Sequence, residues 1–323
     1  MKLVLAILML LATIATPASA QISAADRRDV IETAARLIET RYVDAAAGQR
    51  LATKLRRSGT QWQRITSGEG LAEAMTTWLR QQSGDGHFAL SYSPTPIAAE
   101  DGEVEYSAEE TERYYGAHLN HGVQRIERYE GNIMLIDLRV FPPPALAGDV
   151  ISAMMTVVAQ GDALIIDLRA NGGGMETVNL IAGYLLPPGS PLSGIFDRPS
   201  GTLTPQVSPL AVPGRRFGES KPVYILTSRR TFSAAEALAY DLQALRRAVI
   251  VGEQTGGGAN PFAYRRIHRH FALSLPEQRS VNPITGSNWQ GVGVRPDVAA
   301  PSDQALDRAL ALARNGNGSK ERR

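Results

Sequence analysis

Four short runs in the middle of the chain are apolar at consecutive positions rather than at alternate ones. They are Ile133-Met134-Leu135-Ile136, Ala163-Leu164-Ile165-Ile166, Val223-Tyr224-Ile225-Leu226 and Ala248-Val249-Ile250-Val251. A strand without polar alternation is covered on both faces. Helical spacing fills the intervals over 147–160, 176–186 and 234–246, so strand and helix alternate as in a βαβ sheet. Ahead of this lie three helical stretches. Val30, Ile31, Ala34, Ala35, Leu37 and Ile38 share a face, residues 45–58 repeat the spacing, and Leu71, Met75, Trp78 and Leu79 form one stripe. The pattern predicts an α/β protein, with a small N-terminal helical bundle over residues 21–83 and an α/β core over 84–314. Within the core, Phe88–Tyr92 reads as a short strand, 94–118 as exposed loop and 187–220 as a Pro/Gly-rich connection. Residues 262–275 and 292–297 read as hairpin-like, and 302–314 as a last helix.

The two ends change the picture. Lys2 precedes an apolar run, Leu3–Ile14, that is too short to span a bilayer, and Pro17 breaks it ahead of Ala18-Ser19-Ala20. This predicts a signal peptide over 1–20 with cleavage after Ala20, a periplasmic or secreted destination, and no stable membrane insertion afterwards. The chain has no cysteine, which excludes both an acylated lipoprotein anchor and a disulfide framework. Its formal net charge of +2 implies neither nucleic acid nor a membrane surface as partner. Residues 315–323 read as a disordered tail.

Three segments carry candidate chemistry. Asn171-Gly172-Gly173-Gly174 follows the second buried strand and precedes a helix. Its backbone N–H groups suit an oxyanion hole, a nucleotide loop or a plain tight turn, although no Gly-Lys-Ser/Thr of a P-loop follows. Thr231-Phe232-Ser233-Ala234-Ala235-Glu236 sits between strand and helix. Ser233 there is either a helix cap, with Glu236 completing a capping box, or a nucleophile beside the free N–H of Ala234. Gly84-Asp85-Gly86-His87 offers the histidine that a serine nucleophile needs as base, or a structural histidine. His268 and His270 alternate in a hairpin but lack further metal ligands, so no metal and no cofactor is expected.

The stretches "ALIIDLRANGGGMETVNLIAGYLLP", "KPVYILTSRRTFSAAEALAYDLQALRRAVIVGEQTGGGANP" and "NPITGSNWQGVGVRPDV" resemble successive motifs of one peptidase superfamily. It contains the tail-specific, C-terminal processing serine peptidases, the tricorn core protease and interphotoreceptor retinoid-binding protein. The resemblance runs over roughly residues 84–300 and implies a crotonase-like (ClpP-like) ββα core. It places the nucleophile on Ser233 and the oxyanion hole on the N–H groups of Gly172, Gly173 and Ala234. Members with a Ser-Lys dyad carry a lysine where Gly258 stands here, so the chain is more similar to the tricorn and retinoid-binding branch, which makes His87 the base. That branch sets a serine before its histidine where Gly86 stands, and a glutamate where Gln290 stands. A glutamine amide can accept from an imidazole N–H but supplies no charge to the imidazolium. Glu236 is the alternative carboxylate, with nothing in the sequence to set it beside His87. No PDZ domain fits between Ser93 and Asn120.

The resemblance implies an exported serine peptidase acting on peptides or unfolded protein tails through a Ser233 acyl-enzyme, with His87 as general base. The alternatives are a catalytically weak homologue that binds hydrophobic ligands or peptides on this scaffold, and an esterase of the same mechanism. Substrate choice is expected to come from the N-terminal helices and the segments 94–118 and 187–220.

Overall fold

The computed structural model describes residues 21–98 and 102–318. The expected leader, residues 1–20, and residues 319–323 of the expected tail lie outside them. The chain opens with three helices, α1 (Ala24–Arg41), α2 (Ala45–Ser58) and α3 (Gly68–Ser83). Their N-caps Ser23, Asp44 and Ser67 each accept from a backbone N–H of the first turn. Gly84 ends α3 in the left-handed region at φ 70°. Strand β1 (Ala89–Tyr92) follows, then α4 (Ala108–Tyr115), β2 (Val123–Tyr129), β3 (Ile133–Leu138), α5 (Pro144–Val158), β4 (Ala163–Asp167) and α6 (Thr177–Leu185). The second half holds β5 (Pro191–Asp197), β6 (Thr202–Val207), β7 (Val223–Thr227), α7 (Ala234–Ala244) and β8 (Val249–Gly252). It closes with β9 (Ala263–His268), β10 (Phe271–Leu275), β11 (Gln278–Val281), β12 (Val298–Ala299) and α8 (Ala305–Gly318).

The four apolar runs form the middle of a six-stranded sheet in the order β12-β8-β7-β4-β3-β2, parallel except for β2. Pleating divides their side chains between two cores. Met134, Ile136, Leu164, Ile166, Val223, Ile225 and Ile250 face α5, α6 and α7. Ile133, Leu135, Ile165, Tyr224, Leu226 and Val251 face α8. The tetrapeptide Ile-Asp-Leu-Arg ends both β3 and β4, and the register sets Asp137 beside Asp167. Each aspartate holds the arginine two residues on, Asp137 with Arg139 and Asp167 with Arg169.

A three-stranded antiparallel sheet, β1-β10-β9, covers the N-terminal helices. Phe88, Leu90, Ile267, Phe271, Leu273 and Leu275 join Val30, Ile38, Leu55, Leu71 and Leu79 in one core. The helices therefore share their core with strands that come before β2 and after β8 in the chain rather than closing on themselves. The third sheet, β11-β5-β6, corrects the expectation for 187–220, which carries a hairpin. Segment 94–118, expected as loop, contains α4, opened by a capping box between Ser107 and Glu110. Residues 292–297 form no strand, because the chain turns through Gly291 and Gly293 at φ 72° and 71°. Helix α8 continues over residues 315–318, expected in the tail.

Candidate active site

Strand β7 reaches α7 through a turn docked on the loop after β4. Ser228 Oγ donates to the Arg169 carbonyl at 2.6 Å, Thr231 Oγ1 to that of Leu168 at 2.8 Å, and Phe232 N–H to that of Asn171 at 3.1 Å. The next residue is Ser233, with φ 54° and ψ −121°. A side chain in that region costs on the order of 1–3 kcal/mol, a strain that clusters at functional sites. The Ser233 N–H donates to Glu236 Oε2 at 2.9 Å, the glutamate's half of the expected capping box. The hydroxyl meets His87 Nε2 at 3.0 Å. The glutamate thus caps the helix through the Ser233 backbone, while the serine oxygen faces the imidazole of His87.

His87 is buried to 7 % exposure between two rings, Phe232 at 4.8 Å and Phe262 at 5.7 Å between centroids. Its backbone is fixed at both ends: Ser274 Oγ donates to the His87 carbonyl at 2.6 Å, and the His87 N–H donates to Asp85 Oδ1 at 3.0 Å. Phe232 explains both glycines that depart from the relatives' pattern. A Cβ on Gly86 would lie 2.9 Å from its ring, and a Cβ on Gly258 would run into the ring outright. The ring fills the space that a serine or a lysine would need. Asp85, which sequence reasoning passed over, is fully buried beside the imidazole, with Oδ1 3.4 Å from Nδ1. The signal was present in the Asp-x-His spacing, but a carboxylate two residues from a histidine is common enough to mean little without burial.

Gly173 lies directly under Ser233: a Cβ there would be 2.7 Å from Ser233 Cβ and 3.0 Å from the Ala234 nitrogen. Its N–H, however, donates to Asn171 Oδ1 at 2.8 Å, so it is spent within its own loop and is not a free oxyanion donor. The N–H groups of Gly172 and Ala234 have no acceptor among the described residues. Gly172 also has open space at its Cα, and Ala234 is the first residue of α7, where no intrahelical acceptor exists.

Gln290 is not a partner of His87. Its Oε1 accepts from the Ala259 N–H at 2.7 Å, because Gly291 N–H pairs with the Gly257 carbonyl and lays the segment along the glycine loop. Glu236 does not reach the imidazole either. It is fully buried and accepts from Ser233 N–H, Thr255 Oγ1 (2.5 Å), Gly257 N–H (2.6 Å) and Gly258 N–H (2.8 Å). Burial pushes its carboxyl above the ordinary range, against the pull of those four donors.

His268 and His270 have separate employment, His268 Nε2 lying 3.5 Å from Asp26 and His270 Nδ1 2.9 Å from the Ser93 carbonyl. Among the described residues no three histidines or carboxylates gather as a metal site. A polar cleft of about 510 Å³ lined by Arg125, Asp137, Arg139, Asp167, Arg169 and Arg230 opens at the carboxyl ends of β3 and β4, and neither Ser233 nor His87 lines it.

The family model of peptidase family S41 matches residues 132–300, just over half of the 323 residues. Among solved structures, a lipoprotein from Streptococcus agalactiae is similar at a TM-score of 0.61 and 18 % identity, covering 90 % of this chain and 96 % of its own. The tricorn protease is similar at a TM-score of 0.54 and 14 % identity, over 90 % of this chain and 37 % of its own. The photosystem II D1 C-terminal processing protease is similar at 0.51 and 16 %, over 90 % and 98 %. At such identities these three speak for the fold alone.

Proposed function

The chain belongs to peptidase family S41, and from that premise we propose that it is an exported serine peptidase with Ser233 as nucleophile and His87 as general base. The observation that carries this is the 3.0 Å approach of His87 Nε2 to Ser233 Oγ at a strained helix start. In the reaction, Ser233 Oγ attacks the scissile carbonyl carbon while its proton passes to His87 Nε2. The N–H groups of Gly172 and Ala234 receive the oxyanion. The intermediate collapses, the amine leaves with the proton from His87, and an acyl ester remains on Ser233. Water then attacks that ester, giving its proton to His87, and the acid product and the serine hydroxyl are released.

The substrate is a peptide or an unfolded protein tail, in keeping with the family, and the apolar leader over residues 1–20 supports an exported enzyme. Incubation of the mature protein with a fluorophosphonate, followed by mass spectrometry of the adduct, tests the assignment. Labelling at Ser233 that disappears in Ser233→Ala and in His87→Ala is the expected result. A folded protein that takes no label would instead favour ligand binding without covalent chemistry. That second reading draws on one observation, the absence of a hydrogen bond on His87 Nδ1 among the described residues.

A further inference from the structure

A histidine that takes a proton at Nε2 must carry its other proton on Nδ1, and an imidazolium is stabilised by a charge on that side. In this chain His87 Nδ1 is buried and has no hydrogen-bond partner among the described residues. Gln290, the residue at the relatives' acid position, is committed to Ala259, and Glu236 is committed to the glycine loop. One carboxylate remains beside the ring. Asp85 has no solvent exposure and lies 3.4 Å from Nδ1, longer than a formed hydrogen bond but within the slack that catalytic pairs show before substrate binds.

The side chain of Asp85 is held at both oxygens, with Oδ1 toward the ring. Oδ1 accepts from the His87 N–H at 3.0 Å. Oδ2 accepts from Asn260 Nδ2 at 2.8 Å and faces the Tyr42 hydroxyl at 3.4 Å. Burial and the Asp85 charge push the Tyr42 phenol up, so it keeps its proton and stays a donor. The guanidinium of Arg80, on α3, is spent on the Phe88 carbonyl. The neighbours of the carboxylate are therefore a neutral amide, a neutral phenol, a backbone N–H and the imidazole, with no cation that would neutralise it for another purpose. An unsolvated carboxylate without a paired cation is costly. Its one titratable partner able to become positive is His87.

We propose that Asp85 is the residue that positions His87 and faces its charge, taking over from the chain's own Gln290 position. Asn260 and Tyr42 hold its far oxygen in place. The inference rests on the Ser233–His87 reading above. In the acylation step Nδ1–H donates toward Asp85 Oδ1 while Nε2 takes the serine proton. Asp85 itself takes no proton.

The test measures the fluorophosphonate labelling rate of Ser233 against pH in the mature protein and in Asp85→Asn, Tyr42→Phe and Gln290→Glu. Asp85→Asn is expected to slow labelling by roughly 10²- to 10⁴-fold. It also lowers the pH midpoint of labelling, because the imidazolium loses a neighbouring negative charge. Tyr42→Phe gives a smaller loss of rate without lowering the midpoint, since the negative charge stays, and Gln290→Glu leaves rate and midpoint where they were. Equal rates and midpoints in Asp85→Asn and the parent protein would overturn the role of Asp85 while leaving the Ser233–His87 couple standing. No labelling of the parent protein would defeat the couple itself. Because Asp85→Asn can misfold, ¹⁵N NMR of the His87 ring in the unmodified protein gives an independent reading. A neutral tautomer protonated on Nδ1 is expected, and one protonated on Nε2 would overturn the proposal.

Discussion

The backbone of Ser233 is held, against the residue's own preference, in a conformation that presents its side chain to His87. At φ 54° and ψ −121° only a glycine is at ease, since the mirror-image region is open to it alone. Two variants that both lack the nucleophile separate this strain from chemistry. Ser233→Gly is expected to be more stable than Ser233→Ala by about 1–2 kcal/mol, read from chemical denaturation midpoints. Equal midpoints would mean that the turn relaxes at no cost. Phe232, one residue earlier, makes the opposite demand on its neighbours, since Gly256 and Gly258 both leave room for its ring, as Gly86 does. Gly258→Ala is therefore expected to displace the ring from His87 and cut the labelling rate of Ser233. For the same reason Gly258→Lys in a His87→Ala background does not restore labelling. Recovery of reactivity there would show that the space taken by Phe232 is adaptable, and that a Ser-Lys dyad was excluded for some other reason.

Helix α7 joins the nucleophile to the glycine loop, and Glu236 is the connection. Its four donors come from the helix start and from Thr255, Gly257 and Gly258. Glu236→Gln keeps the shape but points an amide NH₂ at N–H groups, leaving at least one buried donor unpaired at about 1–3 kcal/mol. The expected result is a lower denaturation midpoint together with slower labelling, since the same loop borders Phe232. A second carboxylate on α7, Asp241, accepts from Ser193 N–H, Ser193 Oγ and Asn282 Nδ2, and burial raises its carboxyl above the ordinary range. A raised folded pKa means that the folded state keeps the proton to higher pH than the unfolded chain does. Its stabilising contribution is then full below the ordinary carboxylate range and is lost as pH climbs through the raised value. Asp241→Asn is accordingly expected to cost more stability near about pH 4 than near about pH 8, measured by denaturation at both.

The elements that the sequence disclosed are those whose signal is local. The strands at 133–138 and 163–167 stand out because both faces are covered, and the three N-terminal helices because one face is. The β5–β6 hairpin was hidden because β6 is mostly exposed and the buried residues of β5 do not alternate, and α4 because eight residues with Tyr115 as the buried one make too short a pattern. In the site, Ser233 and His87 could be named from spacing and resemblance. The proposed partner of His87 could not, because an Asp-x-His spacing means little without the burial of Asp85, and the hydrogen bonds that commit Gln290 and Glu236 elsewhere are long-range.

At the scale of the whole molecule, the site is assembled between two cores. Ser233 stands at the start of α7, beyond strand β7 of the central sheet, whereas His87 lies in the turn ahead of β1, beside Phe88, which is packed among the N-terminal helices with its ring 5.1 Å from that of Tyr42. The contact between these parts is also polar. Arg41 and Arg265 both bind the buried carboxylate of Glu277 at 2.6 and 2.7 Å, Val43 N–H donates to the Pro276 carbonyl at 2.9 Å, and Arg198 binds the Tyr42 carbonyl. Deleting residues 21–83 would uncover Phe88, Leu90, Ile267, Phe271, Leu273 and Leu275 together. At about 1.5–3 kcal/mol for each buried side chain the loss is on the order of 10 kcal/mol, comparable to the whole stability of an ordinary domain. The helices are thus a structural part of the unit that holds His87 against Ser233. Two results are expected: a single cooperative transition in calorimetry of the mature protein, and no soluble, labelled product from a chain starting at Gly84. Two separate transitions, with the second retaining Ser233 labelling, would mean that the central sheet can hold His87 without the helices. The Asp85–Tyr42 contact would then be dispensable as well, since Tyr42 leaves with α1.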